Sequence, residues 1–313
     1  MSDMVPMYGF GGGGSGGKTV TVHVTPGTGA NVTCTNGKKT FTVTTDENGD
    51  AIFKLAKGTW TITAEKSGVS VLQNVTVAED CTVNIDLNQI PAFTYTGTYK
   101  IVDDNDNDNA ITSTIGNWKI RFLTSGTLKF TDLKGAANGI DVFLVGGGGH
   151  GVRNSESIGG AGGGGGYTRT IRNVTLSTNA TYTITVGGSA GNTSAFGYTA
   201  GAGKTSDSGY RGGDGGSGGA VFDKSPGSDG GDGGVYSSSS NWRGGYGQKS
   251  VAGPNGETGT TREFGESGKT VYSTGGYGQS TASGAANTGN GGGGHKSGSG
   301  SGGSGIVIIR NKR

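Results

Sequence analysis

Through the first third of the chain, apolar and polar residues alternate with a period of two. The alternation runs over 19–25, 31–34, 40–44, 51–55, 59–64, 70–77 and 82–87. A strand buried on one face has this pattern, because successive side chains point to opposite sides. Asn36-Gly37 and Asn48-Gly49 suit tight hairpin turns. Short strands at this spacing predict a small antiparallel β-sandwich over 18–88. A second series of strands is predicted at 93–102, 118–124, 126–131, 140–145, 167–171 and 181–186. The last apolar run, Ile306-Val307-Ile308-Ile309, has no polar face. Such a run belongs inside a sheet, and the other strands of that sheet lie far upstream. A disordered loop of about 100 residues inside one domain would be abnormal, so the intervening span is predicted to fold.

That span has a different period. Of the 70 glycines in the chain, 52 lie between 146 and 305. Gly212-Gly213-Asp214, Gly215-Gly216-Ser217 and Gly218-Gly219-Ala220 are Gly-Gly-X triplets, as are Gly230-Gly231-Asp232 and Gly233-Gly234-Val235. Three residues per turn is the polyproline-II repeat. Two edges of such a helix would be bare backbone, and the third would carry Asp, Ser, Ala or Val. The helix makes no internal hydrogen bonds, so its N–H and C=O groups must pair with neighbours or water. Runs at 159–166, 212–219, 227–234, 244–247 and 289–305 could supply the neighbours. Five prolines and a broken period exclude collagen. A flexible Gly/Ser linker is the competing reading, since glycine is the most costly residue to order. The fold class expected is all-β: a small antiparallel sandwich, then a β domain with an inserted polyglycine-II-type helix bundle. The expected domains are a tip and hinge at 1–17, the sandwich at 18–88 and the glycine-rich domain at 89–313. In the last, a β part (89–200 and 306–313) carries the glycine-rich helices and loops (146–305).

Composition narrows the function. Hydrophobic residues are 30% of the chain and net charge is +2 with no basic stripe, so no nucleic-acid partner is expected. No apolar stretch is long enough for a membrane span. Met4, Val5, Met7, Tyr8 and Phe10 form an apolar tip suited to docking, and the start lacks the pattern of a secretory signal. A Thr/Ser/Asn/Gly-rich β protein without such a signal fits a virion component released by lysis. Cys34 and Cys81 read as small buried side chains, with their pairing left open.

Apparent chemical motifs dissolve on inspection. The phosphate-loop match ending at Lys18-Thr19 follows no strand and opens no helix. Gly-x-Ser-x-Gly at Ser15, Ser189 and Ser217 sits on no strand-to-helix elbow. His23, His150 and His295 show no metal-ligand spacing. Asp104, Asp106 and Asp108 hold the first, third and fifth places of a calcium loop, but Asn109 and Ile115 stand where Gly and Glu are needed. An acidic solvated loop is the first reading there and a calcium site the second. No catalytic residue, metal or cofactor is therefore expected. The large aromatics between glycine runs are out of place, and must cap a lattice or face outward. Outward Tyr and Trp beside Ser, Asn and Gly have the composition of binding loops. The candidate receptor-binding residues are Tyr210, Tyr236, Asn241, Trp242, Arg243, Tyr246, Tyr272 and Tyr277.

Two resemblances bear on these readings. Thr44-Thr-Asp46-Glu-Asn-Gly49 with Gly58-Thr-Trp60-Thr-Ile-Thr-Ala64 resembles carboxypeptidase-regulatory-like, transthyretin-like modules, which usually serve as spacers. Val142-Phe-Leu-Val145-Gly146, the run 159–167, Ser194-Ala-Phe-Gly197 and the closing Gly302-Gly-Ser-Gly-Ile306-Val-Ile-Ile-Arg310 resemble the glycine-rich domain of bacteriophage tail-fibre and appendage proteins. The second resemblance implies packed polyglycine-II helices, with receptor specificity in the segments between runs. It implies a virion protein, a tail-fibre or tail-tip adhesin whose partner is a bacterial surface receptor, glycan or outer surface protein. Other virion proteins would be met through the N-terminus, and the protein would be a trimer or a single copy on a trimeric fibre. A structural decoration protein of capsid or tail is the alternative. A glycan-cleaving tail enzyme would need a carboxylate pair in a cleft, which the sequence does not display.

Overall fold

The computed structural model describes residues 16–103, 106, 111–154, 160–206, 213–216, 251–252, 258–259, 261–266, 268–278 and 280–311. The chain divides into two units. One comprises residues 1–90 with 111–117, the other 91–110 with 118–313.

The first unit contains β1 (Lys18–Thr25), β2 (Asn31–Thr35), β3 (Thr40–Thr44), β4 (Asp50–Leu55), β5 (Gly58–Lys66), β6 (Val69–Val77) and β7 (Cys81–Asp86). All the strands read from alternation form. They build two sheets, β4-β1-β7 and β3-β2-β5-β6, with β1 and β7 parallel. Val20, Val22, Phe53, Leu55, Trp60 and Ile62 fill the space between them. The Trp60 indole N–H donates to the Ala56 carbonyl at 2.9 Å, which satisfies its one buried polar group. On the outer face, threonines pair across strands: Thr33 with Thr42 at 3.0 Å, and Thr35 with Thr40 at 3.0 Å. Cys34 and Cys81 are free thiols.

The second unit contains β8 (Ala92–Tyr95), β9 (Tyr99–Val102), β10 (Lys119–Phe122), β11 (Gly126–Asp132), β12 (Ile140–Val145), β13 (Thr168–Val174), β14 (Thr181–Ile184), β15 (Thr193–Ala195), β16 (Tyr198–Ala200), β17 (Val251–Ala252), β18 (Thr258–Gly259), β19 (Gly294–His295), β20 (Gly298–Ser299) and β21 (Ile306–Asn311). The strand expected at 93–102 is two strands. It breaks at Gly97, where a Cβ would strike the Ser125 carbonyl. β8 then joins the sheet β14-β11-β8, and β9 joins β13-β12-β21-β10-β9. A glycine inside a strand commonly marks such a corner. Tyr95 of the first sheet meets Phe122 of the second with ring centroids 4.7 Å apart. The closing strand β21 lies in the middle of its sheet, paired with β12 on one side and β10 on the other. Ile306 to Ile309 are buried on both faces, as their unbroken apolar run requires.

At one end of that sheet, strands turn into glycine runs. Val145 pairs with Ile306 and with Thr168, so the runs that follow β12 and precede β13 and β21 start side by side. A strand bonds to neighbours in one plane only. Without side chains, a run can bond in every direction. Gly147 donates to Gly191, Gly148 to Gly303 and Gly149 to Gly164, at 2.9, 2.8 and 2.8 Å. The carbonyls of these three accept from Gly203, Ala190 and Gly292. Partners recur every third residue. Gly163 and Gly166 donate to Gly292 and Gly289, and Gly164 and Tyr167 donate to Lys204 and Gly201. The runs themselves belong to no assigned helix. Apart from two single-turn 3-10 segments, the described residues are strand, turn and extended chain, so the fold class is all-β.

Candidate functional site

The β13-β12-β21-β10 sheet carries a row of charge on one face. Pairing sets Lys119 beside Arg310, and Arg310 beside Asp141. Next to Asp141 the β12–β13 register shifts between Ile140 and Val142, with Asn173 at a φ of 59°. A bulge of this kind re-aims a side chain, and here Arg172 reaches Asp141 at 2.5 Å. The next row on the same face is Arg121, Ile308, Phe143 and Thr170.

The turn Glu263–Gly265 and its neighbours cover this face, and the charges close into two squares. In one, Lys119 and Arg121 each face Asp106 and Glu263. Lys119 lies 2.7 Å from Glu263, and Arg121 lies 2.8 Å from Asp106 and 3.2 Å from Glu263. In the other, Arg310 and Arg172 each face Asp141 and Glu266, with Arg310 at 3.2 Å from Asp141 and 2.6 Å from Glu266. Each square is neutral. Lys119, Arg310, Asp141 and Glu263 are all buried, a placement tolerable only when each charge is paired. Phe264 stands between the squares at a φ of 52°. Its ring is 4.0 Å from the Arg310 guanidinium carbon and 5.7 Å from the Phe143 ring. Burial pulls the Arg310 pKa down, but Glu266 and Asp141 overcome it and hold it above its ordinary value. Burial pushes the Tyr272 phenol up; Arg121 opposes and Glu263 reinforces that shift.

This arrangement fastens the turn to the sheet. Each of its carboxylates is engaged by two cations, and no group of His, Cys, Asp or Glu among the described residues could hold a metal. Asp106, read from sequence as part of an acidic loop, turns to Lys119 and Arg121. His23 bonds Asp50 at 2.7 Å and His295 bonds Ser297 at 2.6 Å. What the fastener holds is the chain just after 260. Just before 217, Gly213 and Gly216 donate to Gly162 and Gly165 at 2.9 Å each. The residues flanking 217–260 on both sides are thus tied into the second unit.

Of the candidate receptor-binding residues, Tyr210, Tyr236, Asn241, Trp242, Arg243 and Tyr246 lie outside the described residues. Tyr277 is 40% exposed. Tyr272 corrects the expectation of an outward ring. It is 5% exposed, packs on Phe143 at 5.6 Å and brings its hydroxyl within 3.4 Å of Glu263. A side chain so enclosed stabilises the turn and meets no outside surface. The charge squares were not read from the sequence. Their signal was single charges, Asp141 and Arg310, in otherwise apolar strands.

The profile of the glycine-rich domain family matches residues 123–312. A search of curated proteins finds no match to the chain. Among solved structures, a DUF3823 family protein from Parabacteroides merdae aligns at 12% identity, over 60% of this chain and 96% of that one, with a TM-score of 0.20. A score that low carries no argument about fold or function. Through the match over most of its second unit, this chain belongs to the glycine-rich domain family.

Proposed function

We propose that this chain is a non-enzymatic bacteriophage virion protein, a tail-fibre or tail-tip adhesin that binds a bacterial surface receptor. The carrying observation is the tethering of both flanks of 217–260, by glycine bonds before it and by the charge squares after it. A span fixed at its ends loses less entropy on binding than a free one. It carries Tyr236, Asn241, Trp242, Arg243 and Tyr246, and interface energy concentrates in Trp, Tyr and Arg. Tyr210 and Tyr277 complete the receptor-facing set. The glycine body that bears them is a polyglycine-II-type lattice. The return of hydrogen-bond partners at every third residue supports this, because three residues make one turn of that helix. The first unit serves as a spacer, and residues 1–17 dock to other virion proteins. The protein resides in the virion, as a trimer or as a single copy on a trimeric fibre.

Purified protein is expected to bind host cells and to block phage adsorption. Trp242→Ala with Tyr236→Ala is expected to weaken cell binding about tenfold or more, as hot-spot losses of ~2 kcal/mol imply, with little change in Tm. Attachment to phage particles but not to cells would replace the adhesin with a structural decoration protein. Unchanged cell binding with a lowered Tm would make these residues caps of the lattice.

A further inference from the structure

The end of β13, strand β14 and the β15–β16 hairpin border an open surface cavity of about 290 Å³, lined by Val174, Thr175, Thr181, Tyr182, Thr183 and Phe196 beside Gly197. Tyr182 and Phe196 both line it, with ring centroids 5.2 Å apart and planes tilted by 53°. Tyr182 is held in place: its ring lies 6.2 Å from that of Phe130, and its hydroxyl accepts the Ser177 N–H at 2.8 Å. Phe196 is held by the backbone. Ala195 pairs with Tyr198, and the two loop residues have φ of 53° at Phe196 and 84° at Gly197. Both values are positive, as in a type I′ turn, where Asn-Gly or Asp-Gly is preferred. A bulky aromatic at positive φ is an outlier, and such strain gathers at functional sites. The chain keeps a phenyl ring at the cavity where an Asn would make the better turn.

We propose that this cavity is a subsite for a neutral sugar ring. The inference deepens the adhesin reading and rests on it for its biological setting. A pyranose has an apolar C–H face, which suits aromatic rings, and a hydroxyl edge, which suits the polar atoms of a threonine-rich lining. No charged side chain is among the lining residues, so an acidic or basic ligand would find no ion partner. The volume lies just below the range of drug-sized ligand pockets, about 300–1,000 Å³. That is room for one ring of a surface polysaccharide rather than a length of chain.

The test is nuclear magnetic resonance of the labelled full chain, titrated separately with glucose, galactose, mannose, N-acetylglucosamine and glucuronate. At least one neutral sugar is expected to shift the Thr183, Phe196 and Gly197 amides saturably in the millimolar range, and glucuronate is not. Phe196→Asn creates an Asn-Gly turn, so it is expected to fold while weakening sugar binding at least about tenfold, equivalent to 1.4 kcal/mol. No response to any neutral sugar, or wild-type affinity in Phe196→Asn, overturns the site. Cell binding by the same proteins separates the two readings. A chain that binds cells but no neutral sugar loses the subsite and keeps the adhesin. A chain that binds a neutral sugar but no cells keeps the subsite and loses the adhesin.

Discussion

One methyl group is enough to test how the glycine body is built. A Cβ on Gly148 would strike the Asn290 carbonyl, and one on Gly163 the Gly149 carbonyl, whereas one on Gly188 meets nothing within 4 Å. Backbone oxygens tied into bonds cannot step aside without breaking them. Gly148→Ala is therefore expected to cost about 1–3 kcal/mol, as overpacking does, and Gly188→Ala to stay within about 0.5 kcal/mol. Denaturant midpoints of the two variants decide it. The described glycines of the first Gly-Gly-X triplets are as crowded as Gly148. Cβ atoms on Gly213, Gly215 and Gly216 would each strike a carbonyl, while the Asp214 side chain pairs with the exposed Lys204 at 3.5 Å. Cys34 gives a pH test of the other core. Burial raises its thiol from 9.0 to about 12. A raised folded pKa stabilises the fold below the unfolded value, so that stabilisation is complete below about 9 and is lost as pH climbs towards about 12. Alkylation of native protein at mildly alkaline pH is expected to spare Cys34 and to label the half-buried Cys81 first. Equal labelling of both would contradict the placement of Cys34.

At the scale of elements, the turn at 263–266 is held by buried charge pairs beside the apolar cluster of Phe143, Phe264 and Tyr272. Removing one member of a buried ion set leaves its partners uncompensated, which costs about 3–5 kcal/mol. Glu263→Gln is expected to lose that much in denaturant unfolding. Lys204→Ala, whose side chain is 67% exposed, is expected to lose less than about 1 kcal/mol. Similar losses in the two variants would refute the closed-square account. Strands β12 and β21 were legible because apolar residues fall on both of their faces, a pattern that suits a central strand. The alternating strands of the first unit were legible for the complementary reason, one dry face and one wet. The break at Gly97 was not, since one glycine within a strand pattern leaves the period intact. The β15–β16 hairpin escaped because its turn is Phe196-Gly197 rather than Asn-Gly. The charge squares escaped for a topological reason. Lys119, Asp141, Glu263 and Arg310 are remote in sequence, and meet only because the last strand inserts between β10 and β12. Tyr272 read as an outward ring because its burial depends on that same insertion.

At the scale of the whole molecule, two kinds of interior are joined in one chain. The first unit has an ordinary core of interdigitated side chains around Trp60 and Phe53. The second unit begins in the same way, then continues into a body whose contacts are backbone to backbone. A body of that kind needs little apolar residue, which explains how a chain with 30% hydrophobic residues can remain folded over so much of its length. It also holds the described residues on either side of 217–260, and the proposed recognition role rests on that order. The glycine runs are therefore the place to test the account. Hydrogen exchange with mass spectrometry on peptides covering 146–151, 160–166, 289–293 and 300–305 measures the bonds that define them. These amides are predicted to exchange with slow rates close to those of β12 and β21. Exchange as fast as that of an unstructured chain, with β12 and β21 still protected, would contradict the account.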